Sequence, residues 1–161
     1  MKNRLLLSFL LLFASRLPAA GLDSPDFRNL FALEQAPPGV VVELIEWQPG
    51  SWQWATPLLI ELRERLRQRF PGTDLAIVSH GGEQFQLTRE RRSEQPQAIA
   101  GLQGLVDDGV DLFVCGTHSS WRDVPEDAYL DFVKVAPSGP ARINDYIELG
   151  YVHVRLDRPE P

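Results

Sequence analysis

The chain has 161 residues, of which 43% are apolar and 24% are charged, with one cysteine and a formal net charge of −6. This length and composition are typical of one globular domain and exclude a disordered, collagen-like or multi-span membrane protein. A single cysteine excludes an intrachain disulfide scaffold, and the acidic balance leaves no excess cationic surface for phosphates, so we expect no nucleic-acid partner.

Residues 1–20 have the three-part layout of a secretory signal peptide. Lys2 and Arg4 give a basic start, an apolar run follows over 5–14, and small residues stand at Ala19 and Ala20. The apolar run is about half the ~20 residues that a membrane-spanning helix needs, which makes a retained anchor the weaker interpretation. We therefore expect a cleaved signal and a periplasmic mature protein without a stable membrane span.

Residues 21–38 contain several prolines and no regular apolar pattern, which predicts an N-terminal arm or linker with a short helical turn near 27–33. An α/β domain is predicted over 39–156, followed by a short tail over 157–161. Within the domain, Thr56 and Pro57 predict the start of the first long helix, as an N-cap and a first helical residue. Ser138 is predicted to be the N-cap of the last helix, and Gly150 is predicted to end that helix in a left-handed backbone conformation.

The domain alternates short apolar strands with amphipathic helices. We predict helices over 57–69, 95–107 and 139–149, the last with Ile143, Tyr146 and Ile147 facing the core. We predict strands over 40–45, 75–78, 111–115, 132–135 and 151–154. This alternation predicts a single three-layer domain with a mostly parallel five-stranded sheet and helices on both faces.

Ligands of such open sheets gather beyond the carboxyl ends of the strands. His80 follows the second predicted strand, Cys115 ends the third, and Ser138 opens the helix after the fourth. The Gly81-Gly82 pair after His80 is a weak signal of an anion-accepting turn. No dinucleotide fingerprint, phosphate-binding loop or Gly-x-Ser-x-Gly elbow follows any strand, so we expect no cofactor.

Among the residues at this edge, Cys115 has the side chain best suited to covalent chemistry. Gly116 allows a tight turn and close approach of another molecule to the sulfur, and the amides after it can stabilise a thiolate. His118 is close enough in sequence to act as a proton partner. The residues alone leave a reactive thiol and a small buried apolar side chain equally open for Cys115.

Two other interpretations concern the same region. Cys115, His118 and His80 have the residue types of a zinc centre, but the second half of a paired motif is missing. His153 stands in a predicted strand and is interpreted as structural. Three tryptophans around the first strand-to-helix loop predict core packing, with a pocket wall or a subunit contact as the alternative: Trp47, Trp52 and Trp54.

Four segments in order resemble the DsrE/DsrF-like family of sulfur-relay proteins: 78–81, 109–117, 133–139 and 150–154. The resemblance implies one α/β domain, commonly assembled as trimers or hexamers. It also implies a cysteine after the third strand that carries sulfur as a persulfide and passes it to a partner cysteine, and Cys115 matches that position. Many relatives have Cys-Gly-Asn-Thr where this chain has Cys115-Gly116-Thr117-His118, and classical members are cytoplasmic.

The leading hypothesis is an exported DsrE-like protein that binds or relays sulfane sulfur on Cys115. We expect a carrier rather than a turnover enzyme, with donor and acceptor thiols or another protein as partners. Gly116, Thr117, His80 and Ser138 are expected around the sulfur, and His118 or His80 is expected to tune its protonation. The alternative is an oligomeric binding or assembly module in which Cys115 is buried and inert.

Overall fold

A computed structural model describes residues 20–159, so the predicted signal peptide falls outside it except for its last residue. Five strands occur in this part of the chain: β1 (Gly39–Leu44), β2 (Asp74–Ser79), β3 (Asp111–Cys115), β4 (Lys134–Ala136) and β5 (Val152–Arg155). Five helices accompany them: α1 (Pro25–Phe31), α2 (Ser51–Arg69), α3 (Pro96–Asp107), α4 (Gly116–Ser120) and α5 (Gly139–Glu148).

The five strands form one sheet in the order β4-β3-β2-β1-β5, and every neighbouring pair is parallel. This confirms the predicted parallel α/β fold, which is here parallel throughout. The carboxyl ends of β1, β2 and β3 lie side by side, because Leu44 pairs with Ser79 and Ser79 pairs with Val114. The residues that follow these strands are therefore brought to one edge of the sheet.

The two faces of the sheet are covered unequally. The larger core includes buried side chains of α1, α2 and α3 packed against one face, with Leu59, Leu62 and Leu102 fully enclosed. On the other face, a smaller cluster joins α5 to the strands: Val41, Ala76, Val78, Phe113, Ala136, Ile143 and Tyr146. No helix within 20–159 is long and apolar enough to cross a membrane.

The segment predicted as an arm or linker, 21–38, is folded against the domain. Its helical turn is α1, and Leu22, Phe27 and Leu30 are buried in the larger core. The Asp26 carboxylate accepts a hydrogen bond from the backbone amide of Arg155 at 3.2 Å, which satisfies a donor on the edge strand β5. Apolar burial and edge capping together attach this segment to the sheet.

Two predicted details of the helices are wrong. Helix α2 begins at Ser51, six residues before Pro57, because Gly50 turns the chain in a left-handed conformation (φ 73°) and the buried Trp52 indole donates to the carbonyl of Glu83. Pro57 thus lies inside the helix. Ile147, predicted to face the core, is 44% exposed on α5, whereas Gly150 has the expected positive φ of 86°.

Candidate functional site

Cys115 is at once the last residue of β3 and the N-cap of α4. Its Sγ accepts a hydrogen bond from the backbone amide of His118 at 3.5 Å. The residue is only 5% exposed. The sulfur is therefore held in a fixed position at the carboxyl edge, where an N–H group of the following turn faces it.

Gln84 holds the backbone of Cys115 on both sides. Its Oε1 accepts from the amide of Cys115 at 3.1 Å, and its Nε2 donates to the Cys115 carbonyl at 3.2 Å. The same Nε2 lies 3.0 Å from Ser119 Oγ and 3.2 Å from the Tyr129 hydroxyl. Gln84 is fully buried. Sequence reasoning missed it, because one glutamine in a polar connection carries no distinguishing pattern.

His118 is buried beneath an aromatic wall. Its Nδ1 donates to the carbonyl of His80 at 3.1 Å, so a neutral ring has Nε2 as its acceptor. The ring centroid lies 4.9 Å from Phe85, 5.5 Å from Trp47 and 5.7 Å from Trp121. Trp47 and Trp121 are 62% and 76% exposed. The imidazole thus connects the turn at Cys115 with an exposed aromatic surface.

His80 lies beside Cys115 and faces a carboxylate. A Cβ built on Gly139 would lie 2.7 Å from His80 Cβ and 3.3 Å from Cys115 Cβ, so both residues pack on this glycine. The Nε2 of His80 is 2.8 Å from one Glu43 oxygen, and His153 Nε2 is 3.1 Å from the other. Glu43 therefore joins His80 to the histidine of β5.

Gly116, Thr117 and Ser138 join α4 to the connection between β4 and α5. A Cβ on Gly116 would meet the Ala136 carbonyl at 3.0 Å, so the space beside this glycine is filled by the chain itself. Thr117 donates to the Pro137 carbonyl through its amide at 3.0 Å and its hydroxyl at 2.8 Å. Ser138 caps α5 as predicted, accepting from the amide of Ala141.

The anion at the Gly81-Gly82 turn is the chain's own Glu83 carboxylate. Its Oε1 accepts from Gly81 N at 3.0 Å and Ser79 Oγ at 2.7 Å, and its Oε2 accepts from Glu46 N at 2.7 Å. Burial raises the pKa of Glu83 above its ordinary value, and the three donors oppose that change. This carboxylate ties the loop after β1 to the loop after β2.

A groove of about 430 Å³ opens next to His118. Trp47 and Phe85, which contact the His118 ring, also line this groove. Of the three tryptophans considered together in the sequence, Trp52 is fully buried in the core, and only Trp47 lines this groove.

The zinc interpretation of Cys115, His118 and His80 gains no support from the geometry. In the part of the chain from 20 to 159, no group of three His, Cys, Asp or Glu side chains is arranged to hold a metal ion. His118 Nδ1 and His80 Nε2 are instead occupied by a carbonyl and a carboxylate.

Comparisons with known proteins agree with this architecture. A model of the DsrE/DsrF-like family matches residues 55–156. The solved structure of MTH1491, a protein of unknown function from Methanobacterium thermoautotrophicum, is similar with a TM-score of 0.59 and 20% sequence identity, over 72% of this chain and 96% of that chain. At that identity the likeness concerns the fold alone. A comparison with curated proteins gave no match.

Proposed function

Because the chain belongs to the DsrE/DsrF-like family, we propose that it carries sulfane sulfur as a persulfide on Cys115. The observation that carries the proposal is the place of this cysteine, the only one in 161 residues. It ends β3 at the carboxyl edge of a parallel sheet, where an N–H group faces its sulfur. It also lies within the residues that match the family.

The transfer needs no cofactor. The Cys115 thiolate attacks a sulfane sulfur of a polysulfide or of a donor persulfide, and the donor S–S bond breaks as the leaving sulfur takes its electron pair. An acceptor thiolate then attacks the outer sulfur of the Cys115 persulfide, and Sγ leaves as a thiolate. Sulfur changes carrier in each step without an external oxidant or reductant.

The surroundings of Cys115 suit a charged sulfur that must be held in place. The amide of His118 donates to Sγ, and hydrogen bonds to a charged acceptor are stronger than those to a neutral one. Gln84 fixes the peptide groups on either side of the sulfur. The Nε2 of His118 is the ring atom that can take or return a proton.

Intact mass spectrometry of the purified protein, before and after exposure to inorganic polysulfide, tests the proposal. We expect a gain of one or more sulfur masses that a reductant reverses and that Cys115→Ser lacks while remaining folded by circular dichroism. Sulfur loading that persists in Cys115→Ser would contradict the mechanism, because no other thiol exists in the chain.

The 5% exposure of Cys115 favours a second candidate, a binding or assembly module with an inert cysteine. This candidate predicts no sulfur gain, with slow alkylation of Cys115 in the folded protein and fast alkylation after unfolding. Rapid alkylation of the folded protein would exclude it. The two candidates thus predict different protein masses after polysulfide treatment and different alkylation rates of Cys115 in the folded protein.

We also propose that the protein is exported to the periplasm through residues 1–20. The basic start, the apolar run over 5–14 and the small residues after it support this proposal. The same intact-mass measurement on protein from the periplasmic fraction tests it. We expect a mass that lacks about the first 20 residues, and a mass that includes them would contradict cleavage.

A further inference from the structure

The groove beside His118 has the size and the lining of a small-molecule site. Its volume of about 430 Å³ lies within the range of pockets that hold small ligands. Trp47 and Phe85 form an apolar wall, and both contact the ring of His118. The backbone amide of His118 in turn donates a hydrogen bond to Cys115 Sγ, so one residue connects the groove with the sulfur.

The groove also carries charges of both signs. The guanidinium of Arg122 lies 5.1 Å from the centroid of Phe85, and among residues 20–159 it forms no ion pair with an acidic side chain. Arg91 is 3.9 Å from Glu94, a loose pair, and Glu90 lines the same groove. A cation stacked on an aromatic ring and free of an acidic partner is suited to a carboxylate.

We propose that this groove binds a low-molecular-weight thiol or persulfide that carries both a carboxylate and an ammonium group, such as an amino-acid or short-peptide persulfide. Arg122 receives the carboxylate, Glu90 attracts the ammonium group, and Trp47 and Phe85 pack on the carbon skeleton. The inference rests on the proposed function, and it names the class of molecule that exchanges sulfur with Cys115.

The transfer balances with this donor. The Cys115 thiolate attacks the outer sulfur of R–S–SH, a bond forms between Sγ and that sulfur, and the S–S bond of the donor breaks. The products are Cys115–S–SH and the thiolate R–S⁻, which keeps the electron pair of the broken bond. The proton remains on the transferred sulfur, and the reverse reaction unloads the protein to the same class of thiol.

Binding is measured first with S-methylglutathione, which has the charges of the donor class but no transferable sulfur. Isothermal titration calorimetry on the full chain should detect binding that Arg122→Ala weakens by at least about tenfold, the loss expected for a hydrogen bond to a charged group. Arg122→Lys should restore part of the affinity, and Arg92→Ala, an exposed neighbour outside the groove, should bind as the unaltered protein does. Absence of binding, or equal binding by Arg122→Ala, would overturn the proposal.

Loading rates then separate this inference from the proposed function. We expect the ratio of the loading rate with glutathione persulfide to that with inorganic polysulfide to fall about tenfold in Arg122→Ala. A ratio that does not change, with loading from both donors, contradicts the groove and leaves the Cys115 carrier standing. Binding of S-methylglutathione that depends on Arg122, with no loading from either donor, supports the groove and contradicts the carrier.

Discussion

Two buried side chains next to each other in sequence hold the loops around Cys115 by different chemistry. Gln84 is neutral and has both a donor and an acceptor, so it can pair with the amide and the carbonyl of Cys115 at once. When ionised, the Glu83 carboxylate can only accept hydrogen bonds, and it accepts three, from the Ser79 hydroxyl and from the amides of Gly81 and Glu46. Gln84 thus fixes the backbone of Cys115, and Glu83 fixes the loops whose residues surround His118.

The raised pKa of Glu83 makes part of the stability depend on pH. The folded state holds the carboxyl proton more tightly than the unfolded state, whose value is near 4.5. The contribution of this group to stability is therefore complete below that pH and is lost as the pH rises through the folded pKa. We expect the difference in unfolding free energy between the unaltered protein and Glu83→Gln to decrease as the pH rises above about 4.5.

Urea unfolding at a series of pH values measures this difference. Glu64→Gln, at an exposed position of α2, is the matched control for the change from a carboxyl group to an amide. A difference for Glu83→Gln that is constant or rises with pH would show that the three donors outweigh the cost of burying the charge.

At the scale of elements, the site depends on how closely α5 approaches β2 and β3. Gly139 is the first residue of α5, and its missing side chain leaves room for His80 and Cys115. A methyl group there would lie 2.7 Å from His80 Cβ, and neither neighbour can move without shifting the sheet edge or the helix. The helix start is thus part of the wall of the site.

We expect Gly139→Ala to lower the unfolding free energy by about 1–3 kcal/mol, the usual cost of overpacking. The matched control is Gly104→Ala in α3, where nothing lies within 4 Å of the added Cβ. That substitution should stabilise the helix by about 1 kcal/mol, since alanine loses less backbone freedom than glycine. Denaturant unfolding compares the two, and a Gly139→Ala variant as stable as Gly104→Ala would contradict the close approach.

For the whole molecule, the domain includes residues 21–38, which precede β1. Helix α1 lies outside the segment that matches the family, yet Phe27 is fully buried in the larger core. The amide of Arg155 is satisfied by Asp26 of the same helix. The segment thus completes both the apolar core and the edge of the sheet.

We expect Phe27→Ala to destabilise the protein by about 3–5 kcal/mol, as for other buried phenylalanines. The exposed Asn29 on the same helix provides the control, and Asn29→Ala should change stability by less than about 0.5 kcal/mol. Thermal and urea unfolding both report the effect. A loss from Phe27→Ala no larger than that from Asn29→Ala would mean that α1 is not part of the cooperative unit.

The fold was predictable because its strands are short apolar runs between amphipathic helices. Strand β3 has the predicted bounds of 111–115, and the cap at Ser138 and the left-handed Gly150 are confirmed. The start of α2 was not predictable, because Thr56-Pro57 is a good local start signal and the tertiary bond of the Trp52 indole overrides it. A tertiary contact can thus override the local preference of a sequence for where a helix begins.

Of the candidate site, only the position of Cys115 and the edge of the sheet on which it lies were predictable. The end of β3 placed Cys115 correctly, but the roles of Gln84, Glu83 and Glu43 depend on contacts between residues more than 30 positions apart. No spacing in the sequence reports such contacts. Ile147 shows the same limit. Helical periodicity places it on the apolar face of α5, but it does not report how much of that face the rest of the protein covers.

The solitary cysteine has a kinetic consequence. Proteins that discharge an oxidised sulfur by themselves do so with a second, resolving thiol on the same chain. This chain has one cysteine, so a persulfide on Cys115 cannot be discharged internally. The lifetime of the persulfide would be set by the rate at which an external thiol reaches the protein and by how often the buried sulfur becomes accessible to that thiol. Each chain would then hold one persulfide or none, and the acceptor thiol would determine when the sulfur is released.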